Sequence, residues 1–312
     1  MRLANVLESE EWRRYQVKPR ATGPFEFSPV TRRPKLSWPN GAHVAVWVIP
    51  NIEVFALCDR MPEGRGNIPD VYNYSKRDYG ARVGVWRIME VLSNHGIRAT
   101  VALNSNICDI YPEIVDEAAH MGWEFMGHNE TNTQYLYDLE PAEERSLIHR
   151  TLQRIEQATG ERPKGWLGSG LQETWHTLDF LAEAGIRYVA DWVNDDQPYY
   201  MNIQGYPLVS IPYSVDLNDK PMYEKYHRTA NEFETIICRH FDTLYEEGKD
   251  SGRVMAIALH PYITGTAHRI IALDNALKYI ASHENVWFAT GQDIVEEFVK
   301  QNHVKNTEVN RK

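Results

Sequence analysis

What the sequence lacks narrows the class of protein before any motif is considered. No apolar stretch approaches the roughly 20 residues that a membrane-spanning helix needs, and no long run of Lys and Arg is present. The chain has 33 basic against 43 acidic side chains, so its formal net charge is −10. Because a nucleic-acid surface depends on clustered basic side chains, we expect no nucleic-acid partner, and we also expect no membrane partner.

Cysteine is also scarce. Cys58, Cys108 and Cys238 are odd in number and far apart, which fits reduced thiols better than a disulfide framework. Residues 1–16 are charged and lack the apolar segment of a secretory signal. These features together predict a cytoplasmic protein.

The length and composition predict one large domain. With 312 residues, of which 43% are hydrophobic, the chain can bury a single sizeable core. Residues 1–40 are rich in Pro, Arg and Glu, and we interpret them as an N-terminal arm that wraps the domain or reaches a neighbouring subunit. Residues 41–303 form the predicted catalytic domain, and residues 304–312 a polar C-terminal tail. The arm and the apolar helices predict a homo-oligomer.

Strand-like and helix-like segments alternate from residue 42 onward. The predicted strands are His43–Ile49, Arg98–Leu103, Trp123–Met126, Gly165–Leu167, Tyr188–Ala190, Leu208–Ile211, Arg253–Leu259 and Val286–Ala289. The predicted helices are Ala81–Ser93, Pro112–Met121, Ala142–Thr159, Thr177–Ala184, Ala230–Glu247, His268–Ser282 and Gln292–Gln301. Repeated βα units over about 250 residues are typical of parallel strands that close into a barrel. The sequence thus predicts an α/β protein with a distorted (β/α) barrel.

Polar side chains recur just beyond the predicted strands. Asn51 and Glu53 follow the first strand, and the third strand leads directly into Gly127–Asn132, which holds His128. His260 follows the seventh strand. Because barrel enzymes assemble their sites at the C-terminal ends of the strands, we expect these side chains to share one site.

The order of these residues resembles that of the NodB-homology polysaccharide deacetylases. The resemblance runs from about Lys35 to Phe298 and is carried by Glu53, Gly127–Asn132, Gly165–Gly168, Asp191–Trp192 and Leu259–Pro261. The phrase at residues 191–198, DWVNDDQP, is similar to the allantoinase-like branch, whose members open cyclic amides or imides instead of deacetylating glycans. The resemblance implies a barrel of the NodB type and a hydrolase that acts on carbon–nitrogen bonds.

Two departures from the family pattern concern the metal. Metal-dependent relatives carry two adjacent aspartates after the first strand, where this chain has the single carboxylate Glu53. They also carry two histidines four residues apart after the third strand, where this chain has His128 and Asn132. A catalytic zinc site takes about three protein ligands among His, Cys and carboxylates. We therefore expect no metal cofactor, with zinc or another divalent ion as the alternative.

Hydrolysis of a cyclic amide needs a base to deprotonate water, donors for the oxyanion and an acid for the leaving nitrogen. Glu53 is the predicted base, and we expect burial to raise its pKa toward the working pH. His128 would position the water, donate to the oxyanion or act as the base itself. The resemblance implies that His260 protonates the leaving nitrogen and that Asp191 orients and charges His260.

Six further residues are predicted to contact the substrate. They are Asn51, Asn132, Trp166, Asn194, Asp195 and Tyr213. The asparagines can both donate and accept, which suits the carbonyls and N–H groups of an imide or ureide, but Asn is also an ordinary turn residue. The two aromatic side chains could wall a flat ring or belong to the core.

Three functions remain open at this point. The leading hypothesis is a metal-independent hydrolase of a cyclic amide, imide or ureide, whose partner is a small molecule. The second is a metal-dependent N-deacetylase of the polysaccharide deacetylase family. The third is a non-catalytic binding protein that kept the barrel, against which the joint presence of Glu53, His128, Asp191 and His260 argues.

Overall fold

The computed structural model describes residues 20–62, 64–203 and 205–309, with side chains as far as Asn302. Its strands are β1 (Val44–Ile52), β2 (Thr100–Leu103), β3 (Glu124–Gly127), β4 (Gly165–Trp166), β5 (Tyr188–Val189), β6 (Tyr199–Tyr200), β7 (Val209–Ser210), β8 (Arg253–Leu259) and β9 (Val286–Phe288). They form one curled sheet in the order β6-β7-β5-β4-β3-β2-β1-β8, and β9 pairs with the start of β1. Every pairing is parallel except that of β6 with β7. The predicted α/β fold with a distorted barrel is confirmed.

Helices cover the outside of the sheet. They are α1 (Val71–Tyr79), α2 (Val85–Asn94), α3 (Ile107–Ile110), α4 (Pro112–His120), α5 (Pro141–Thr159), α6 (Thr177–Glu183), α7 (Ala230–Gly248), α8 (Ile270–Ala281) and α9 (Gly291–Val309). Helix α9 continues beyond the predicted domain boundary at residue 303. Within the described ranges, no helix is both long and apolar enough to cross a membrane.

Strand β1 is the centre of the sheet. Its nine residues, VAVWVIPNI, are all buried, and it pairs with β8 along most of its length and with β2 at its end. Because successive side chains of a strand point to opposite faces, Val44, Val46 and Val48 pack under the helices, while Ala45 and Trp47 fill the inside of the barrel. Burial of each large side chain contributes about 1.5–3 kcal/mol relative to exposure. This anchoring fixes the end of β1, where the site begins.

Helix α1 was not predicted from the sequence. It begins after Asp70, whose Oδ1 accepts a hydrogen bond from the backbone N–H of Asn73 at 3.1 Å. The helix carries few apolar residues, and Arg77 is its buried member. Its guanidinium lies 4.4 Å from the centre of the Phe55 ring, so α1 is held to the barrel mouth by a cation–π contact that periodicity does not reveal.

The described part of the N-terminal arm packs on the barrel. Arg33 forms a two-pronged ion pair with Asp195, at 2.6 and 2.5 Å. The indole of Trp38 is buried and donates to the carbonyl of Arg253 at 2.7 Å. Phe25 lies edge-on against Trp192, with ring centres 5.2 Å apart. Phe25 and Arg33 therefore lie against the connection that follows β5, and Trp38 lies against the start of β8.

Candidate functional site

A cavity of about 320 Å³ opens at the C-terminal ends of the strands. Its lining comes from the connections after β1, β3, β4, β7 and β8 and comprises Asn51, Glu53, Phe55, Pro62, His128, Asn132, Tyr135, Leu167, Gly168, Gly170, Leu171, Tyr213, Val215, Asn218, Lys220, Pro221 and His260. A volume near the lower end of the range for ligand pockets suits a small, single-ring molecule. The predicted site thus exists where a barrel enzyme keeps its chemistry.

Three of the predicted catalytic side chains meet at one carboxylate oxygen. Glu53 Oε1 lies 3.3 Å from His128 Nε2 and 3.6 Å from His260 Nε2. All three side chains are at least nine-tenths buried. The other oxygen, Glu53 Oε2, is buried without a hydrogen-bond partner among the described residues. The site therefore presents one acid–base cluster with an oxygen left over for a substrate or a water molecule.

The orientation of His128 is set by the neighbouring strand. Its Nδ1 lies 2.6 Å from the carbonyl oxygen of Leu167, which can only accept, so Nδ1 carries the proton. Nε2 is thereby directed at Glu53. Asn129 turns the chain immediately afterwards with φ 56°, a left-handed conformation that Asn tolerates better than most residues. The backbone thus fixes the position of the His128 ring and keeps one proton on Nδ1, while Nε2 faces the Glu53 carboxylate.

His260 is oriented by Asp219, not by Asp191. Asp219 is fully buried, and its Oδ1 lies 2.7 Å from His260 Nδ1. Its Oδ2 accepts from the backbone N–H of His260 at 2.7 Å and from the Thr264 hydroxyl at 2.6 Å. The expected pairing of Asp191 with His260 was wrong, because the connection that precedes α7 carries a carboxylate to β8, whereas Asp191 lies on the far side of the cavity floor.

The cluster forms an ion pair at neutral pH. Burial alone would raise the pKa of Glu53, but the positive charge and hydrogen bonds of His260 and His128 hold that pKa well below its ordinary value. Burial would lower the pKa of His260, but the charges of Asp219 and Glu53 raise it to about 9. The expected rise in the pKa of Glu53 was therefore wrong, since two imidazoles outweigh the loss of solvation.

The ion pair predicts a pH dependence of stability. Because the pKa of His260 is higher in the folded protein than its ordinary 6.5, its contribution is complete below pH 6.5 and is lost as the pH rises to about 9. We expect the free energy of unfolding to fall over this window by at most about 3 kcal/mol through this group. Urea unfolding at several pH values would measure the fall.

Two histidine variants control this measurement. In His260→Gln the dependence should be flatter, because the group that releases its proton is gone. In His120→Gln it should follow the parent protein, because His120 is exposed at the end of α4. An equal slope in all three proteins would contradict a raised pKa of His260.

Asp191 is buried beside the cavity floor. Its Oδ1 accepts from the backbone N–H of Gly168 at 2.7 Å, and its Oδ2 has no hydrogen-bond partner among the described residues. Burial raises the pKa of Asp191 to about 7. The neighbouring Glu173 has a pKa raised well above its ordinary value by burial and by the charge of Asp191. The two carboxyl groups therefore do not both ionise readily at neutral pH.

Three of the predicted substrate contacts line the cavity. Asn51, Asn132 and Tyr213 all have side chains on its wall. Asn132 Oδ1 accepts from Asn104 Nδ2 at 2.9 Å and from Ser169 Oγ at 2.6 Å. Both lone pairs of that oxygen are thus used, and the amide presents Nδ2 as its donor.

The other three predicted contacts lie elsewhere. Trp166 is fully buried in the core under α5 and α6, and a Cβ atom on Gly127 would lie 2.7 Å from its ring. Asn194 accepts from the Tyr199 hydroxyl at 2.8 Å, and Asp195 binds Arg33. These predictions were wrong, because β4 directs Trp166 outward, Asn194 pairs with Tyr199, and Asp195 holds the arm on the outer surface.

The donor chemistry does not fit the metal site that the family resemblance implies. The equivalent positions offer one carboxylate and one imidazole, and the Asn132 oxygen that could complete a set is saturated by two donors. In the described part of the chain, no group of three or more His, Cys, Asp and Glu side chains is placed to hold a metal ion. The mechanism that we propose for this site therefore uses no metal.

Sequence reasoning missed two carboxylates near the site. Asp219 lies in a connection whose sequence is typical of an ordinary turn. The one feature that could have indicated a site residue is its position between a strand and a helix of the barrel. Glu173 lies in a stretch between β4 and α6 without periodicity. Neither position belongs to a motif that the resemblance contains.

Comparison with known proteins agrees with the fold. Residues 74–189 match the family model described as polysaccharide deacetylase. The solved structure of a probable polysaccharide deacetylase from Pseudomonas aeruginosa PAO1 superposes with a TM-score of 0.79 and 26% identity, over 86% of this chain and 95% of that chain. The solved structure of the allantoinase PuuE gives a TM-score of 0.78 and 27% identity, over 85% and 93%.

A curated protein of Schizosaccharomyces pombe whose description also names a polysaccharide deacetylase is 25% identical over 292 residues, which are 83% of this chain and 91% of that protein. The fold is thus the curled, parallel-rich barrel of the NodB type. The chain thus contains a polysaccharide deacetylase domain, and its structural neighbours include a probable polysaccharide deacetylase and the allantoinase PuuE.

Proposed function

We propose that this protein is a hydrolase that opens a cyclic amide, imide or ureide ring by attack of water, without an obligatory metal. The observation that carries the proposal is the buried Glu53 carboxylate, faced by two imidazole nitrogens on the wall of a small cavity. The similarity to the allantoinase PuuE supports the same class of substrate. A ring of this kind is compact enough for about 320 Å³.

The ion pair supplies a closed proton cycle. Glu53 accepts a proton from water as the water oxygen bonds to the ring carbonyl carbon, and His260 protonates the ring nitrogen as the carbon–nitrogen bond breaks. Proton transfer from His260 to the leaving nitrogen then removes the charge that holds down the pKa of Glu53, so Glu53 keeps the proton it took from water until the nitrogen has left. Glu53 then returns the proton to His260 across 3.6 Å, which restores the resting pair.

The remaining wall groups suit the carbonyl oxygen of the substrate. The Nδ2 of Asn132, the Tyr213 hydroxyl and the Nε2 of His128 all belong to side chains that line the cavity. A preorganised donor aimed at a developing oxyanion contributes about 2.7–4 kcal/mol to catalysis. His128 also holds the Glu53 carboxylate in place, so it serves either the oxyanion or the water.

A metal-dependent N-deacetylase is the second candidate. The matching family model and the Pseudomonas protein carry deacetylase descriptions, and water attack on an acetamide would use the same base and acid. That chemistry requires a metal to polarise the carbonyl, and the donor set after β1 and β3 disfavours one. We therefore rank it below ring opening.

A substrate panel with chelation tests the proposal. Purified protein would be assayed on succinimide, hydantoin, allantoin and an N-acetylglucosamine oligomer, before and after exhaustive chelation and after addition of zinc. We expect ring opening of at least one cyclic compound, at a rate that chelation leaves unchanged. Activity that is lost on chelation and restored by zinc would return the protein to the metal-dependent class, and so would turnover of the N-acetyl sugar alone.

A further inference from the structure

Asp191 is a buried carboxylate that the proton cycle does not use. Within the described residues it forms no hydrogen bond with Glu53 or His260, yet the charge of His128 stabilises its ionised form. Keeping a carboxylate out of water is costly unless it is hydrogen-bonded. Its Oδ1 accepts from the N–H of Gly168, and the carboxyl group of Glu173 is its neighbour. The peptide group at Gly168 connects Asp191 to the cavity wall.

The geometry points to Asp191 as a positioning residue for His128 that acts through the peptide group between Leu167 and Gly168. The carbonyl of this peptide accepts from His128 Nδ1 at 2.6 Å. The N–H of the same peptide donates to Asp191 Oδ1 at 2.7 Å. Two hydrogen bonds thus link the imidazole of His128, the peptide group and the carboxylate of Asp191 in series. The inference rests on the proposed function, in which His128 serves the reaction.

The peptide can transmit the charge because it is polarisable. An ionised carboxylate on the N–H side draws that proton and increases the negative charge on the carbonyl oxygen, so the two hydrogen bonds strengthen one another. A stronger acceptor at Nδ1–H holds the ring more firmly with Nε2 toward Glu53, as a carboxylate does when it binds a metal-ligating histidine directly. Leu167 and Gly168 thus connect Asp191 to the nitrogen that faces Glu53.

The burial of Asp191 makes this connection depend on pH. The groups that face Asp191 are Glu173, His128 and Tyr213, and Glu144 faces Glu173 in turn. Asp191 Oδ2 lacks a donor, and the protonated Glu173 is the neighbouring group that can supply one. Burial raises the pKa of Asp191 to about 7, so its charge appears as the pH rises through neutrality. The carbonyl of Leu167 is then the stronger acceptor on the alkaline side.

Nuclear magnetic resonance of the resting protein tests the connection without substrate. The probes are the Nδ1 proton of His128, identified by its loss in His128→Gln, and the amide of Gly168. In the parent protein both resonances should move with one midpoint near pH 7, the pKa of Asp191. In Asp191→Asn, which keeps an oxygen for Gly168 but loses the charge, both should lose that step.

Two further variants sharpen the result. Glu173→Gln still offers a donor to Asp191 and leaves its burial unchanged, so both resonances should keep a step near neutral pH. Asp216→Asn makes the same chemical change as Asp191→Asn on an exposed side chain and should behave as the parent protein does. Because Glu173→Gln keeps the charge that Asp191→Asn removes, the two variants separate the charge of Asp191 from a general disturbance of this pair of carboxyl groups.

Two outcomes would overturn the inference. A His128 resonance unmoved in Asp191→Asn would show that no charge reaches the ring. A His128 resonance that moves while the Gly168 amide does not would show a direct effect of charge through space, without the peptide. Either result leaves the proposed function standing, since that function depends on the substrate panel and on Glu53.

Kinetics supplies a second readout on an active substrate. Above pH 7, Asp191→Asn should lower kcat about tenfold with little change in KM, the size expected for loss of a group that orients another. Below pH 6 it should approach the parent protein, because Asp191 of the parent is then protonated and carries no charge either. A loss of equal size at every pH would indicate a merely structural role and overturn the inference.

Discussion

Glu53→Gln should lower kcat/KM for ring opening by about a thousandfold, the middle of the range for loss of a general base. The amide is nearly the same size as the carboxylate, so the cavity keeps its shape, but it cannot take a proton from water. The substitution also removes the negative charge of Glu53 beside His260, so the pKa of His260 should fall below about 9. Steady-state rates and binding of the substrate to the variant would separate the loss of chemistry from a loss of binding.

The matched control for this variant is Glu113→Gln. Glu113 is exposed in the first turn of α4 and does not line the cavity. The Glu113→Gln substitution should therefore leave the rate unchanged. The proposed mechanism fails if Glu53→Gln, correctly folded, turns over at the parental rate. A moderate loss that His128→Ala deepens by many orders would instead assign the role of base to His128.

Asp219→Asn should have the second largest effect. The charge of Asp219 helps to hold the pKa of His260 at about 9, and its two oxygens hold the ring and the backbone of His260 in place. Without that charge, His260 should lose its proton nearer the ordinary value of 6.5, so less acid is available for the leaving nitrogen. We expect kcat to fall by about a hundredfold to ten-thousandfold at pH 8.

The pH profile distinguishes this mechanism from simple damage. The alkaline limb of kcat, which the parent protein should show near pH 9, should move toward lower pH in Asp219→Asn. Asp216→Asn lies on the same connection with an exposed side chain and should keep the parental limb. A variant that loses activity without any shift of the limb would contradict the assignment of His260 as the acid.

The residues changed in these two variants, Glu53 and Asp219, differ in whether the sequence predicts them as parts of the site. Glu53, His128 and His260 could be placed together from the sequence, because each follows a buried strand and parallel strands bring their C-terminal ends to one edge. Their mutual effect on pKa could not be anticipated. That effect depends on the 3.3 and 3.6 Å distances at Glu53 Oε1, which decide that charge outweighs burial.

The errors share a physical cause. Asp219 and Asp191 both lie in connections, and a connection has no period from which a partner can be deduced. The strand β4 has only two residues, so no alternation shows that Trp166 faces the helices and not the cavity. The motif at residues 191–198 predicts Asp195 as a substrate contact. In the structure its partner is Arg33, which is 162 positions away.

The amino-acid sequence by itself determined the class of fold and the strand ends that carry the chemistry. Long apolar strands such as β1 and β8 are encoded locally, since burial on both faces demands an unbroken hydrophobic run. The tertiary structure alone decided which carboxylate serves which histidine, and it connected Asp191 to His128 through one peptide group. Those pairings arise where connections of different βα units meet, and hydrogen bonds of this kind depend on distances that no local pattern specifies.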